Sequence, residues 1–191
     1  MRLGGVGVDE ARARQERFEK IAAQVLEPVR RFLSRRTDPD TADDVLADVL
    51  LVCWRRLDDV PEEALPWAYG VARNALANLE RGGRRQRRLA ARITALDPPR
   101  EVGVDDLAAE AAADKVTLVL ATMSPEESEL LRLWAWEQLG ATEIATVLDV
   151  TPNAASIRLH RARGRFKEKF EELRKIEAAG GHRESSEGSG T

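Results

Sequence analysis

Apolar side chains recur every three or four residues in the N-terminal half of the chain, which is the spacing of one face of an α-helix. In a first segment they are Phe18, Ile21, Val25, Val29, Phe32 and Leu33. Pro28 lies inside this segment and is expected to kink or stop its helix. In a second segment they are Val45, Leu46, Val49, Leu50, Cys53 and Leu57. Thr41 and Asp44 precede that segment as a capping box would, so they predict where its helix begins.

A third helical segment begins near Leu65. Its apolar positions are Ala68, Val71, Ala72, Ala75, Leu76 and Leu79. It is expected to end before Gly82 and Gly83, with a basic helical extension following over residues 84–93. Residues 94–111 contain prolines, a glycine and several acidic side chains, and they predict a flexible acidic linker.

The C-terminal half repeats the helical pattern from about residue 112. Ser124, followed by Pro125 and Glu127, has the residues of a helix start: an N-cap, a proline in the first turn and a capping-box glutamate. That helix is expected to continue to residues 139–140. A short helix over residues 142–148, a three-residue turn and a long helix from Pro152 follow.

These patterns predict an all-α protein with two small helical domains. The first domain covers residues 16–93, after an N-terminal extension at residues 1–15, and the second covers residues 112–177. The remaining residues, 178–191, are rich in glycine, serine and glutamate and are expected to be disordered.

The composition agrees with a helical protein: 43% of the 191 residues are apolar, 33% are charged and 5% are aromatic. A single cysteine, Cys53, excludes an intramolecular disulfide framework and is typical of a reducing compartment. No apolar run approaches the roughly 18 residues that a membrane span needs, and residues 1–20 are too charged for a secretory signal. We therefore expect a cytoplasmic protein without membrane insertion.

Positive charge is concentrated in two places, although the whole chain carries a net charge of −3. Residues 73–92 hold seven arginines against one glutamate, and residues 152–169 hold six basic side chains against one glutamate. Two cationic patches on either side of an acidic linker are typical of a protein that binds a long anionic partner. The alternative is that each patch is only a solvated helix face.

The sequence offers little for catalysis. His160 and Cys53 belong to different predicted domains, and His182 lies in the predicted tail, so neither a Cys–His pair nor a metal site is expected. No glycine-rich phosphate loop follows a strand. We expect no catalytic residue, no metal and no cofactor.

Residues 142–166 have the pattern of a helix-turn-helix. Ala155, Leu159, Ala162 and Phe166 predict one buried stripe on the second helix, so its opposite face is free for a partner. That face and its basic flanks suit a DNA major groove bordered by two phosphate backbones. The candidate DNA contacts are Thr151, Pro152, Asn153, Ser156, Ile157, Arg158, His160, Arg161 and Arg163. The alternative is an ordinary three-helix bundle, which has the same stripe.

The third helical segment also mixes aromatic, amide and basic side chains, a combination suited to opened or single-stranded DNA. The candidates are Trp67, Tyr69, Arg73, Asn74, Asn78, Arg81, Arg84 and Arg85. The alternative is that Trp67 belongs to the core and the arginines are solvated.

Three motifs in order resemble one family. Residues 41–57 (TADDVLADVLLVCWRRL) resemble the polymerase-docking helix of a bacterial sigma factor. Residues 66–76 (PWAYGVARNAL) resemble the promoter-melting helix that follows it, and residues 143–163 resemble the region 4 helix-turn-helix. The match covers roughly residues 16–172, and the small size points to the extracytoplasmic-function (ECF) group of the sigma-70 family. In that family the helix-turn-helix usually carries Gly at the turn where this chain has Asp149, a short polar residue that tolerates a left-handed conformation.

The resemblance implies that region 2 (residues 16–93) binds the clamp helices of the largest subunit of core RNA polymerase, and that region 4 (residues 112–177) meets the flap of the second-largest. The residues expected to bind polymerase are Asp44, Asp48, Leu51, Val52 and Arg55. The loop at residues 58–64 and the third helix would recognise and open the −10 element, the helix from Pro152 would recognise the −35 element, and the linker would pass near the RNA exit path. An anti-sigma partner is also expected.

A second hypothesis is a stand-alone helix-turn-helix regulator or a helical adaptor. The two hypotheses differ over the N-terminal half, because a plain regulator has no need of a docking helix or a melting helix. Retention of core polymerase would distinguish them.

Overall fold

The computed structural model describes the backbone of residues 6–93 and 115–180, and the side chains of residues 9–82 and 115–175. Seven α-helices account for most of these residues: α1 (Val6–Ser34), α2 (Pro39–Arg55), α3 (Ala64–Ile93), α4 (Lys115–Ala121), α5 (Pro125–Ala135), α6 (Ala141–Leu148) and α7 (Pro152–Gly180). A 3₁₀ turn, η1 (Leu57–Asp59), lies between α2 and α3. The described residues contain no strand, so the predicted all-α fold is confirmed. The predicted linker and most of the predicted tail lie outside the described residues.

The chain divides into two compact units. Among the described residues, the first unit comprises residues 6–93 together with 142–152, and the second comprises residues 115–141 together with 153–180. Most of α6 is thus grouped with the first unit, whereas the sequence pattern pairs it with α7. The predicted domain limits at residues 16–93 and 112–177 stay a prediction.

In the first unit, α1, α2 and α3 pack against one another in all three pairings. Their shared core includes Val25, Val29, Phe32, Leu33, Val45, Val49, Cys53, Ala68 and Ala72, each fully buried. The ring centroids of Phe32 and Tyr69 lie 5.0 Å apart, which joins α1 to α3 through an aromatic pair. Burial raises the pKa of the Cys53 thiol, because desolvation disfavours the thiolate.

Two possible helix ends in this unit are not observed. Of the two effects expected of Pro28, a stop is excluded, because α1 continues to Ser34; the lost hydrogen bond is outweighed where the next turn buries Val29, Phe32 and Leu33. Nor do Gly82 and Gly83 end α3, which is continuous to Ile93, since a glycine costs a helix only about 1 kcal/mol.

The start of α2 also differs from the expected capping box at Thr41. The N-cap is Asp38, whose Oδ1 accepts a hydrogen bond from the Thr41 backbone N–H at 3.0 Å. Pro39 occupies the first helical position, where its missing N–H and fixed φ cost nothing. The helix therefore begins earlier, and the Thr41 N–H that binds Asp38 lowers the pKa of the Asp38 carboxyl.

The buried apolar side chains of the second unit come from α4, α5, α7 and the segments that precede and follow α5: Val119, Leu120, Met123, Leu130, Leu131, Leu133, Leu139, Ala155, Leu159 and Ala162. Ser128 is the buried polar residue of this core, and its hydroxyl donates to the Leu120 carbonyl at 2.7 Å. The predicted start of α5 is confirmed: the Ser124 hydroxyl accepts from the Glu127 N–H at 3.3 Å and donates to its carboxylate at 3.1 Å.

The end of α5 lies earlier than expected, at Ala135 rather than at residues 139–140. Gln138 has a φ of 57°, and the Leu139 N–H donates to the Leu133 carbonyl at 3.1 Å. Because Leu139 is still buried, the apolar spacing continues after the helix has ended.

Candidate nucleic-acid interface

The turn that follows α6 is closed by a left-handed residue and a backbone hydrogen bond. α6 ends at Leu148, Asp149 follows with a φ of 53°, and the Val150 N–H donates to the Ala145 carbonyl at 3.0 Å. A left-handed residue with such a bond back to the last turn is a common helix ending, usually made by glycine. The expectation that Asp149 adopts this conformation is confirmed.

α7 has one buried stripe and one exposed face. Ala155, Leu159 and Ala162 are buried as predicted, and Phe166 is half-buried, with its ring centroid 5.8 Å from that of Phe170. All of the candidate DNA contacts at this end of α7 are exposed: Thr151, Pro152, Asn153, Ser156, Ile157, Arg158, His160, Arg161 and Arg163. Ile157 is 44% exposed, so a large aliphatic side chain lies among the polar side chains of this face.

The arginines of α7 fall into two groups. Arg163 places its guanidinium 4.5 Å from the centroid of the Trp134 ring, and Arg165 forms an ion pair with Glu127 of α5. Arg158 and Arg161 are exposed and form no ion pair or hydrogen bond among the described side chains. These two are therefore available to a phosphate backbone without the loss of an internal contact.

On α3 the structure separates the candidate residues by burial. Asn74, Asn78 and Arg81 are exposed, and Arg81 donates to the Asn78 side-chain oxygen at 2.6 Å. Trp67 and Arg73 are half-buried, and the Arg56 guanidinium lies 6.0 Å from the Trp67 ring centroid. Tyr69 is only 3% exposed, so it belongs to the core and is not available to opened DNA, which corrects its place among the candidates. The side chains of Arg84 and Arg85 lie outside the described residues.

α2 has a second exposed stripe, opposite its buried face. Asp44, Asp48, Leu51 and Arg55 are exposed at spacings of four, three and four residues, and Val52 beside them is half-buried. Leu51 is 42% exposed. Trp54, about 90° around α2 from the stripe, is also 41% exposed. An exposed large apolar side chain flanked by carboxylates on an otherwise well-packed helix is typical of a surface that binds another protein.

Comparison with known proteins identifies the chain. The sequence model of the family described as Sigma-70, region 4, matches residues 113–166. An RNA polymerase sigma-E factor of Streptomyces avermitilis is 30% identical over 152 residues, which cover 78% of this chain and 82% of that protein. The chain belongs to the ECF group of the sigma-70 family.

Two further similarities agree with this assignment. An RNA polymerase sigma-E factor of Streptomyces coelicolor is 30% identical over 135 residues, which cover 70% of this ECF chain and 73% of that protein. The solved sigma factor RpoE of Bartonella quintana, crystallised with the anti-sigma factor NepR, has the same fold: the TM-score is 0.57 at 19% identity, over 81% of this chain and 96% of that one.

The described part of this sigma-family chain offers no group of three or more His, Cys, Asp or Glu side chains that could hold a metal ion. In the same residues, no helix is long and apolar enough to cross a membrane.

Sequence reasoning missed some residues that shape these surfaces. Glu127 was expected to cap α5, but its ion pair with Arg165 was not. Arg14 and Arg17 of α1, which contact residues 54–60, were missed altogether. Local spacing could not predict these contacts, because the two residues of each contact lie 38 to 44 positions apart in the sequence.

Proposed function

We propose that this ECF sigma factor is a non-catalytic subunit that binds core RNA polymerase and directs it to promoters with specific −35 and −10 elements. The observation that carries the proposal is that one chain has an exposed face with basic flanks on α7 and also an exposed stripe on α2. A stand-alone regulator needs only the first of these surfaces. The two sigma-E relatives, whose similarity covers 78% and 70% of this chain, support the same conclusion.

The exposed stripe on α2 is the proposed docking surface for the clamp helices of the largest polymerase subunit. Asp44, Asp48, Leu51, Val52 and Arg55 would form this contact. The carboxylates would pair with cationic side chains and Leu51 would be buried, which is the usual division between rim and core of a protein interface. Region 4 would meet the flap of the second-largest subunit.

DNA recognition is divided between α3 and α7. Trp67, Arg73, Asn74, Asn78, Arg81, Arg84 and Arg85 would act on the −10 element together with the loop at residues 58–64. On α7, Asn153, Ser156, Ile157 and His160 would face base edges of the −35 element. Arg158, Arg161 and Arg163 would mainly contact phosphates, and the backbone N–H groups near Thr151 and Pro152 would contribute at the helix N-terminus.

An anti-sigma factor is the proposed regulator. The support is the Bartonella quintana RpoE structure, in which a chain of the same fold is bound by NepR. The linker at residues 94–111 would allow regions 2 and 4 to be repositioned between the inhibited and the polymerase-bound state, and would pass near the RNA exit path in the latter.

The decisive experiment is retention of core RNA polymerase by the tagged chain, followed by run-off transcription from promoters selected with the reconstituted holoenzyme. We expect retention, and we expect Asp48→Arg to weaken it at unchanged helical content. Asp43→Arg is the matched control, because Asp43 is equally exposed but lies about 110° around α2 from the stripe. DNA binding without polymerase retention would instead support the stand-alone regulator.

A further inference from the structure

Two arginines near the start of α1 contact the segment that joins α2 to α3. Arg14 donates to the Trp54 carbonyl at 3.0 Å and to the Asp58 carboxylate at 3.3 Å. Arg17 donates to the Val60 carbonyl at 3.2 Å. One short stretch of α1 thus contacts the whole joining segment: the last turn of α2, η1 and the residue after η1.

Aromatic contacts fix the same stretch of α1 in place. The Phe18 ring packs edge-on against Trp54, with centroids 5.3 Å apart and an interplanar angle of 84°. The Arg14 guanidinium lies 5.5 Å from the centroid of the same ring. Residues 14, 17 and 18 share a helix face because they are spaced by three and four positions. The two arginines are therefore held at the segment by packing as well as by hydrogen bonds.

The joining segment alternates buried anchors with exposed side chains. Leu57 and Val60 are 1% and 2% exposed, whereas Asp58, Asp59 and residues 61–63 are exposed. Arg56 adds a local ion pair to Asp59 at 3.2 Å. The segment is thus a short exposed loop whose backbone is fixed at the Trp54 and Val60 carbonyls by side chains from another helix.

We infer that Arg14 and Arg17 are positioning residues for the −10 element. They hold residues 58–63 in the conformation that contacts promoter DNA, and they do not themselves bind DNA. This inference rests on the proposed function, because that function places the loop at the −10 element. A loop held in one conformation cannot rearrange to fit a different base, so a wrong base loses contacts that a mobile loop could partly recover.

The test uses the reconstituted holoenzyme and a promoter library randomised at both elements. Arg14→Ala and Arg17→Ala should lower the preference for the best −10 base by about fivefold each, roughly the value of one hydrogen bond. The −35 preference and polymerase retention should be unchanged. Arg17→Lys keeps one donor for the Val60 carbonyl and should restore most of the preference. Arg12→Ala is the matched control, because Arg12 is an exposed arginine of the same helix whose ion pair is with Glu16 of α1 itself.

Hydrogen exchange in the free protein gives a readout that does not depend on promoters. Peptides covering residues 56–63 should exchange faster in Arg14→Ala and Arg17→Ala than in Arg12→Ala. Faster exchange with an unchanged −10 preference would overturn the inference and leave a purely structural role. Weaker binding to every sequence alike, with a smaller salt dependence, would overturn it in favour of phosphate contacts. A wild-type holoenzyme without any −10 preference would instead show that the proposed function has failed.

Discussion

Removal of Arg161 tests whether α7 meets a phosphate backbone. Arg161 is exposed and has no ion pair or hydrogen bond among the described side chains, so Arg161→Ala removes a positive charge without breaking an internal contact. Each phosphate contact contributes about 0.9 to the slope of log K against log salt. The slope should therefore become about 0.9 less steep in the variant. When salt is raised from about 50 to about 200 mM, the affinity of wild type should drop by a factor about 3.5 times larger than that of the variant. The preferred −35 sequence should not change.

The matched control is Arg165→Ala on the same helix. Arg165 is ion-paired to Glu127, so we expect this variant to lower stability slightly and to leave the salt slope nearly unchanged. The assay is fluorescence anisotropy of holoenzyme binding to a labelled promoter at several salt concentrations. An Arg161→Ala slope equal to that of wild type, or an equal fall in both variants, would refute the division of the α7 arginines into free and internally paired groups.

Three further predictions concern base readout, packing and pH. Ile157→Ser should change the preferred base at one −35 position, since a thymine methyl is the natural partner of an aliphatic side chain; a library selection that returns the wild-type −35 sequence would remove Ile157 from the interface. Leu133→Ala should destabilise the fold by about 2–5 kcal/mol in urea denaturation, because Leu133 is fully buried, whereas Leu118→Ala at an exposed site should cost far less. Because the pKa of Asp38 is lowered in the folded state, its contribution to stability is present above the unfolded pKa and is lost as the pH falls through the folded one. The stability of Asp38→Asn, which keeps a capping side chain, should depend less on pH in this acidic range, and identical profiles would show that the cap is not charge-assisted.

Sequence spacing predicts best what is determined locally. The buried stripe on α7, the N-cap at Ser124 and the left-handed Asp149 depend on residues within a few positions of one another, and each is where the sequence indicated. The end of α5 could not be placed in the same way. Leu139 is buried by the second unit after the helix has ended, so apolar spacing continues across the boundary. Burial reports contact with the core and not the hydrogen-bond pattern of the backbone.

Contacts between distant parts of the chain were not predictable from spacing. Arg14 and Asp58 are 44 residues apart, and both are ordinary surface residues in sequence terms. Their meeting depends on how α1 packs against the end of α2. Exposed positions were accordingly better predicted on α7, where they follow from the spacing of one helix, than around residues 54–60, whose conformation depends on two helices.

The separation of buried and exposed positions on α7 has a consequence for how such a protein diverges. Ala155, Leu159 and Ala162 support the fold, whereas positions 153, 156, 157 and 160 are exposed. Substitutions at exposed positions usually change stability by no more than about 0.5 kcal/mol. Under the proposed role of these positions in −35 recognition, single substitutions there can change the preferred promoter and still leave a folded protein. Promoter preference can then diverge between copies of such a gene while the fold of the helix is preserved.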